Sequence, residues 1–467
     1  MNTPPDVLLA AWEKSLTENR GRTAVLDHHG RIRRTFDDVE QRAKRFEQEL
    51  QSLGGGEVVA IQIGNHPDWP SLFIACLRKR LVVLPLEQTI SSQHREAAFE
   101  NCGVAATAVL GSADNVKIAS VTRPAGTIID WQKLQPTVLK LTSGTTAKPR
   151  TVRFRSSQLL ADCENICDTM EITARDLNYG AIPISHSYGF SNLLTPLLAR
   201  GVAMVLSTDR IPRAIVDGLA SSRATVFPGM PVFYQSLCEL NNIPSLPELR
   251  LCISAGAPLS PELADKFRER FGREIHIFYG SSECGGICYA RKPEPLPGFV
   301  GQPLKGVHLE LLEGDRGASR IRIRSRAVGD AYFPEPDQSS LSEGTFVPDD
   351  LLEGTTQGYR IVGRASDLIN VAGKKVNPAE VEIAILSCAG VREAIAFGCK
   401  SNRRYEEVVA CVVTTGQISE AQLLADLRSR LSSWQVPRRI YFVDVIPVNE
   451  RGKTSRRDLA RRFQGDG

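Results

Sequence analysis

The chain predicts an α/β protein with a large N-terminal domain of parallel-rich sheets, a small β-rich subdomain, and a small α+β domain at the C-terminus. Three observations predict it. Apolar strand-like runs alternate with helix-like spacings through roughly the first 290 residues. Short β segments rich in turn residues fill 290–360, and a fresh β/α pattern starts after Gly363-Arg364.

Taken in order, Thr23–Leu26 and Arg31–Phe36 read as strands, and Asp37–Leu53 spaces its apolar residues as a helix does. Val58–Ile63 reads as a strand, Trp69–Leu77 as a helix and Leu81–Leu86 as a strand. The alternation recurs at Val202–Ser207, Ala224–Phe227, Leu249–Ser254 and Ile275–Tyr279, with Pro261–Phe271 among the intervening helices. Such a pattern predicts parallel sheets covered by helices, with ligands gathered at the carboxyl ends of the strands. Val307–Leu312 and Arg320–Arg324 are β segments of the turn-rich part. Beyond residue 364, Leu368–Val371, Pro378–Ser387, Ala394–Phe397, Glu407–Thr414, Ser419–Leu431 and Ile440–Val445 read as β, α, β, β, α, β, enough for a domain of its own. The expected division is 1–364 and 365–467.

Composition narrows the class. With 42% hydrophobic and 24% charged residues the 467-residue chain is ordinary for a globular protein rather than a disordered one. No run reaches the length of a membrane span, since Leu72–Leu77 is broken by Arg78-Lys-Arg80, and no basic-then-apolar leader opens the chain. A cytoplasmic protein is expected, with neither nucleic acid nor membrane insertion among its partners, as monomer or homodimer. The 11 cysteines are scattered without a C-x-x-C pair, which predicts reduced, structural thiols. Residues 365–467 hold 16 Lys+Arg against 12 Asp+Glu, so the whole net charge of +4 sits in the last domain. Arg438-Arg439, Arg451, Arg456-Arg457 and Arg461-Arg462 read either as an anion-binding surface or as a solvated face.

Two segments carry the chemistry. Thr142-Ser-Gly-Thr-Thr-Ala-Lys-Pro-Arg150 follows the apolar-leaning Thr137–Lys140, as a loop after a strand. Thr142, Ser143, Thr145 and Thr146 offer hydroxyls and Gly144 lets the backbone approach, a composition suited to cradling phosphates or to a plain polar turn. Far away, Gly452-Lys453 lies in a basic segment, so a late lysine can be brought to a phosphate held by an early loop. Gly452-Lys453-Thr454 is not a Walker loop, because the required glycine five residues earlier is Pro447.

With Tyr279-Gly-Ser-Ser-Glu283, Gly358-Tyr359, Gly363-Arg364, Gly373-Lys-Lys-Val-Asn-Pro-Ala-Glu-Val-Glu382 and Gly452-Lys453, these segments occur in the order of the acyl-adenylate-forming superfamily. The chain resembles that superfamily along essentially its whole length, and in layout resembles its stand-alone acyl- and aryl-CoA synthetases. The resemblance implies ATP, Mg²⁺ and coenzyme A as reaction partners of a carboxylic acid, which is first converted to acyl-AMP and then to a thioester. It also implies a mobile C-terminal domain. An acyl carrier protein as acceptor is the alternative, and a non-catalytic nucleotide or acyl binder a further one.

By resemblance, Thr142, Ser143, Gly144, Thr145, Thr146 and Arg150 hold the nucleotide phosphates. Tyr279, Gly280 and Ser281 with Ala255, Gly256 and Ala257 form the adenine side, and Ser282 bonds the α-phosphate. Glu283 binds Mg²⁺, a role that suits carboxylate oxygen. Asp350 holds the ribose, Arg364 contacts its far side, and Ser366 takes the hinge position. His186, in Pro183-Ile-Ser-His-Ser-Tyr-Gly189, lines the acyl pocket with Gly256, Gly280 and Gly285, although a lone histidine before an apolar helix is usually a packed core residue. Lys453 is the catalytic lysine. The chain departs from the superfamily pattern at Ala147 and Thr151, each for glycine, at Arg150 for lysine, and at Pro348-Asp349 for threonine-glycine. Aryl and medium-chain acids are equally expected.

Overall fold

The structure is a computed structural model, and it describes residues 6–122, 129–142, 150–312, 318–342, 344–401, 405–416, 418–447 and 455–463. The chain forms two compact units. The first comprises 1–310, 322–347 and 355–360, and the second 311–321, 348–354 and 361–467.

In the first unit, the end strand Ile275–Ser281 begins a parallel run through Leu251–Ser254, Val226–Gly229, Leu177–Gly180, Ala203–Leu206 and Thr23–Asp27. Antiparallel strands flank it: Ile32–Thr35 at one side, Gly285–Ala290 and then Phe299–Pro303 at the other. A second sheet places Val138–Leu141, Val82–Pro85, Val58–Gln62 and Val104–Leu110 parallel, edged by antiparallel Thr151–Phe154 and Val116–Ser120. Its strands are nearly continuous runs of buried Val, Ile, Leu and Ala, as expected where both faces are covered. Helix Trp69–Arg78 buries nine consecutive residues, Trp69 to Leu77. Its Phe73 meets Phe190 edge to face at 5.3 Å.

Local signals account for many element ends. Thr35 and Asp38 form a reciprocal capping box that opens helix Phe36–Glu49. Ser260 caps helix Pro261–Phe271, Pro261 pre-sets its first turn, and Gly272 closes it in the left-handed conformation.

Among the described residues, the second unit holds a sheet of Lys374–Val376, Ile369–Val371, Tyr405–Thr414, Val391–Ser401 and the parallel Arg439–Phe442. Alternation in the long hairpin feeds two cores. Ala396, Val408, Ala410 and Val412 face helices Pro378–Leu386 and Glu420–Arg430, while Phe397, Val409 and Cys411 face Leu459 of helix Arg456–Phe463. That last helix and the strand Lys374–Val376 escape the sequence pattern, the first because it is mostly charged, the second because it is three residues long. Among the described residues no helix is long and apolar enough to cross a membrane. All 11 cysteines are buried and unbridged.

His276 sits on strand Ile275–Ser281 with its Nδ1 bonded to the Tyr289 hydroxyl. Burial, and then the charges of Arg291 and Arg250, hold its pKa down to about 4. An unfolded imidazole protonates near pH ~6.5, so below that value the unfolded chain binds the extra proton and stability falls as pH falls, with the full loss reached near the folded pKa. The group's contribution is level above pH ~6.5 and declines by about 3 kcal/mol toward pH ~4. Melting curves between these limits should show a shallower slope for His276→Asn than for the wild type; equal slopes would contradict the assignment.

Candidate functional site

The carboxyl ends of the parallel strands converge on one set of loops. Leu177–Gly180 runs into Pro183-Ile-Ser-His186, Leu251–Ser254 into Ala255-Gly-Ala257, and Ile275–Ser281 into Ser282-Glu-Cys284. Tyr279, Gly280 and Ser281 are the last residues of the strand rather than a turn beyond it, because the chain doubles back and pairs them with Gly285–Cys288. Glycines permit this tight hairpin. A Cβ at Gly280 would stand 2.6 Å from the Gly285 carbonyl oxygen, and Gly285 itself has φ +70°.

Within the hairpin turn, the Ser281 hydroxyl accepts from the Glu283 amide at 3.2 Å, and the Gly329 amide donates to the Glu283 carbonyl at 2.9 Å. The Ser187 hydroxyl donates to that of Ser282 at 3.1 Å. Tyr332 donates its hydroxyl to Glu283 Oε1 at 3.1 Å. Burial, reinforced by the Glu283 carboxylate, pushes the Tyr332 phenol up, so it remains a donor. The Arg150 guanidinium lies 4.2 Å from the centre of the Tyr332 ring and donates to the Glu335 carbonyl at 3.1 Å. Thr142 and Arg150 close the neck of the hydroxyl-rich loop, the Thr142 amide donating to the Arg150 carbonyl at 2.9 Å. Thr142, Arg150 and Glu283 thus connect through one chain of contacts, with Ser282 next to Glu283 in the turn.

Several sequence-assigned residues lie outside the described residues: Ser143, Gly144, Thr145, Thr146 and Ala147 of the loop, and Lys453. Thr151 is a buried strand residue pairing with Leu141 and Phe333, which suits a side chain and has no need of glycine.

His186 is exposed at the start of the short helix Ser187–Gly189, where its Nδ1 accepts from the Tyr188 amide at 3.3 Å. Exposure removes the core-packing alternative. The motif's glycine also has a cause: a Cβ at Gly189 would overlap the Pro183 carbonyl oxygen at 2.0 Å. Tyr188 donates to the Ile253 carbonyl at 3.3 Å and packs near Phe278. Ala255 is buried, Gly256 and Ala257 are exposed, and Gly256 has φ +84°. Just before them the Ser254 hydroxyl is buried with no partner among the described residues. Burial pushes the Cys284 thiol up, so it is a neutral space-filler and not a nucleophile.

Asp350, Arg364 and Ser366 group together in the second unit. Arg364 Nε donates to Asp350 Oδ1 at 3.0 Å, and the Ser366 amide donates to Asp349 Oδ1 at 3.1 Å with its hydroxyl also on Asp349. Arg456, read from sequence as one of the anion-facing or solvated basic residues, is neither. Its guanidinium is held by Asp367, Glu382 and the Ala396 carbonyl.

Among the described residues no group of three or more His, Cys, Asp or Glu could hold a metal ion. A single carboxylate in a hairpin turn fits Mg²⁺, which takes one or two carboxylates and completes its octahedron with water and substrate phosphates. Sequence reasoning missed Tyr332, Asn65, Lys140 and Asp162. Of these, Lys140 carried a signal, being a charged residue in a buried strand, Val138–Leu141.

A family model described as AMP-binding enzyme matches residues 12–332, and one described as AMP-binding enzyme C-terminal domain matches 380–453. The chain is 25% identical to an oxalate–CoA ligase of Arabidopsis thaliana, over 92% of this chain and 93% of that protein. It is 26% identical to a feruloyl-CoA synthase of an Amycolatopsis species, over 94% and 96%. In fold it is similar to ATP-bound MatB from Rhodopseudomonas palustris, with a TM-score of 0.82 at 24% identity, covering 97% of this chain and 99% of that one.

Asn65 sets the approach to His186. Its Nδ2 donates to the carbonyls of Gly180, Ile182 and Ser207 at 3.0, 3.0 and 3.1 Å, and its Oδ1 accepts from the Ile184 amide at 2.9 Å. One side chain from the second sheet thereby pins the strand ends of the first. Asn65→Ala removes these bonds, leaving only the Gly180 carbonyl a second donor in the Ser207 amide, with an expected loss of about 2–4 kcal/mol in denaturant unfolding. It should also quicken proteolysis between residues 181 and 190; a loss of stability under about 0.5 kcal/mol would contradict the clamp.

Proposed function

The chain belongs to the AMP-binding enzyme family, and from that premise we propose how it works as an AMP-forming acid–thiol ligase. A carboxylate attacks the α-phosphorus of ATP, forming acyl-AMP as pyrophosphate leaves. The thiol of coenzyme A then attacks the acyl carbon, forming the thioester and expelling AMP, while its proton passes to solvent.

The observation that carries this reading is the hairpin turn bearing Ser282 and Glu283 at the carboxyl end of the parallel sheet, joined through Tyr332 and Arg150 to the neck of the hydroxyl-rich loop. A phosphate chain lying between loop and turn meets donors from both. Thr142 to Thr146 hold the β- and γ-phosphates, Arg150 adds a fixed cation at the neck, and Ser282, steadied by Ser187, bonds the α-phosphate. Mg²⁺, when bound beside Glu283, supplies positive charge to the leaving pyrophosphate. The adenine lies against Tyr279 and the Ala255-Gly-Ala257 segment, where glycine and alanine leave room. Asp350 holds the ribose, with Arg364 keeping its carboxylate in place.

Attack of one anion on another builds negative charge in the transition state, and the ammonium of Lys453 bridges both. No general base is needed, because the nucleophile is already ionised. The acid lies between His186, Gly256 and the Gly280–Gly285 hairpin. For the second step the C-terminal domain turns about Ser366, withdrawing Lys453 and presenting the Gly373 loop. Coenzyme A is supported as acceptor by a cleft of about 240 Å³ in the second unit, lined by Val371, Ala372, Lys374, Ser433, Trp434 and Arg438. The Lys374 ammonium there lies 3.5 Å from the Trp434 ring centre, which steadies a cation for a phosphate to meet.

Incubation with ATP, Mg²⁺, coenzyme A and pooled aliphatic, aromatic and dicarboxylic acids should yield an acyl-CoA detectable by mass spectrometry. Acyl-AMP with no thioester would replace coenzyme A by a carrier protein, and neither product would overturn the reading. Lys453→Ala should lower adenylate formation about 100-fold or more while leaving thiolysis of supplied acyl-AMP within about three-fold. Equal loss of both steps would remove the role given to Lys453.

A further inference from the structure

Beneath the hairpin turn lies a pair of charges that the chemistry above does not use. Lys140, on strand Val138–Leu141, is 4% exposed, and Asp162, on helix Ser156–Met170, is 3% exposed. The Asp162 carboxylate accepts from the Gly286 amide at 2.9 Å and from the Ser191 hydroxyl at 2.6 Å. It presses so closely on the turn that a Cβ at Gly285 would stand 2.0 Å from its Oδ1. The Lys140 ammonium rests over the rings of Phe154 and Phe190, 4.5 and 5.4 Å from their centres. Its charge reaches Asp162, Cys284 and Glu283.

We propose that Asp162 is a positioning residue that fixes the turn carrying Ser282 and Glu283, with the buried Lys140 ammonium, on the strand leading into the hydroxyl-rich loop, as its countercharge. The proposal rests on the adenylation reading. Three segments meet at Asp162: its own helix, the hairpin beyond the parallel sheet through Gly286, and the segment after His186 through Ser191. Without Asp162, the 282–286 turn loses the Gly286 anchor on its inner side. Buried ion pairs are poor stabilisers, and well-packed apolar residues often replace them without loss. A role in geometry therefore explains two buried charges at this place better than a role in stability. Burial pushes the Lys140 ammonium down and the Asp162 carboxyl up, and the charge of each opposes the shift of the other.

The test is hydrogen exchange by mass spectrometry across 279–290, read beside kcat and KM for ATP in adenylate formation. Asp162→Ala should speed exchange in the turn about ten-fold and lower kcat about 30-fold, with KM for ATP moved less than about three-fold. Asp162→Asn, which keeps an acceptor for Gly286, should return both to within about five-fold of wild type. Lys140→Met, which keeps the ring contacts and removes the charge, should fall between them, and it carries the test with Asp162→Asn if Asp162→Ala does not fold. Exchange and kcat within about two-fold of wild type in Lys140→Met, whatever its melting temperature, would overturn the proposal, as would Asn behaving no better than Ala. Exchange is read without substrate, so a wild type that makes no adenylate, with the exchange pattern intact, would remove the adenylation reading and leave the anchor standing.

Discussion

The site depends on how closely the Tyr279–Cys288 hairpin folds back on itself. Gly280 lies against the Gly285 carbonyl, and Gly285 lies against Asp162, so neither position accepts a side chain. From that constraint follow the direction of Ser282 and Glu283, the reach of Tyr332 to Glu283, and the stacking of Arg150 on Tyr332. Parallel strands provide the platform, since their carboxyl ends gather loops of small residues on one edge. Asn65 then ties the two sheets of the first unit together at that edge.

The chemistry asks little of side chains as acids or bases. Carboxylate, phosphate and pyrophosphate all carry charge from the outset, so catalysis is positioning and electrostatics. The described residues match that demand. The tyrosine at Glu283 remains protonated, the cysteine beside it remains neutral, and the hydroxyls of Ser187 and Ser282 meet each other. Among these groups none is arranged as a nucleophile with its base.

Much of this was legible in the sequence because periodicity and turn chemistry are local. The strands Val58–Gln62 and Ile275–Ser281 and the helix Pro261–Phe271 stand where apolar spacing predicts them. Glu283 was legible as a carboxylate beside a strand end. Tyr332 was not, because it lies 49 residues further on and reaches Glu283 through strand pairing of Tyr332–Phe333 with Thr151–Phe154. Asp162 reads as one more polar residue on an amphipathic helix; its partners, Ser191 and Gly286, are set by tertiary packing. Arg456 read as surface charge for the same reason, its carboxylates lying 74 and 89 residues away.

The central claim is that an acid displaces pyrophosphate from ATP reversibly, before any thiol takes part. Exchange of labelled pyrophosphate into ATP measures that step alone. The account predicts exchange that needs Mg²⁺ and a carboxylic acid and proceeds without coenzyme A. Exchange that proceeds without acid, or that begins only when coenzyme A is added, would contradict it.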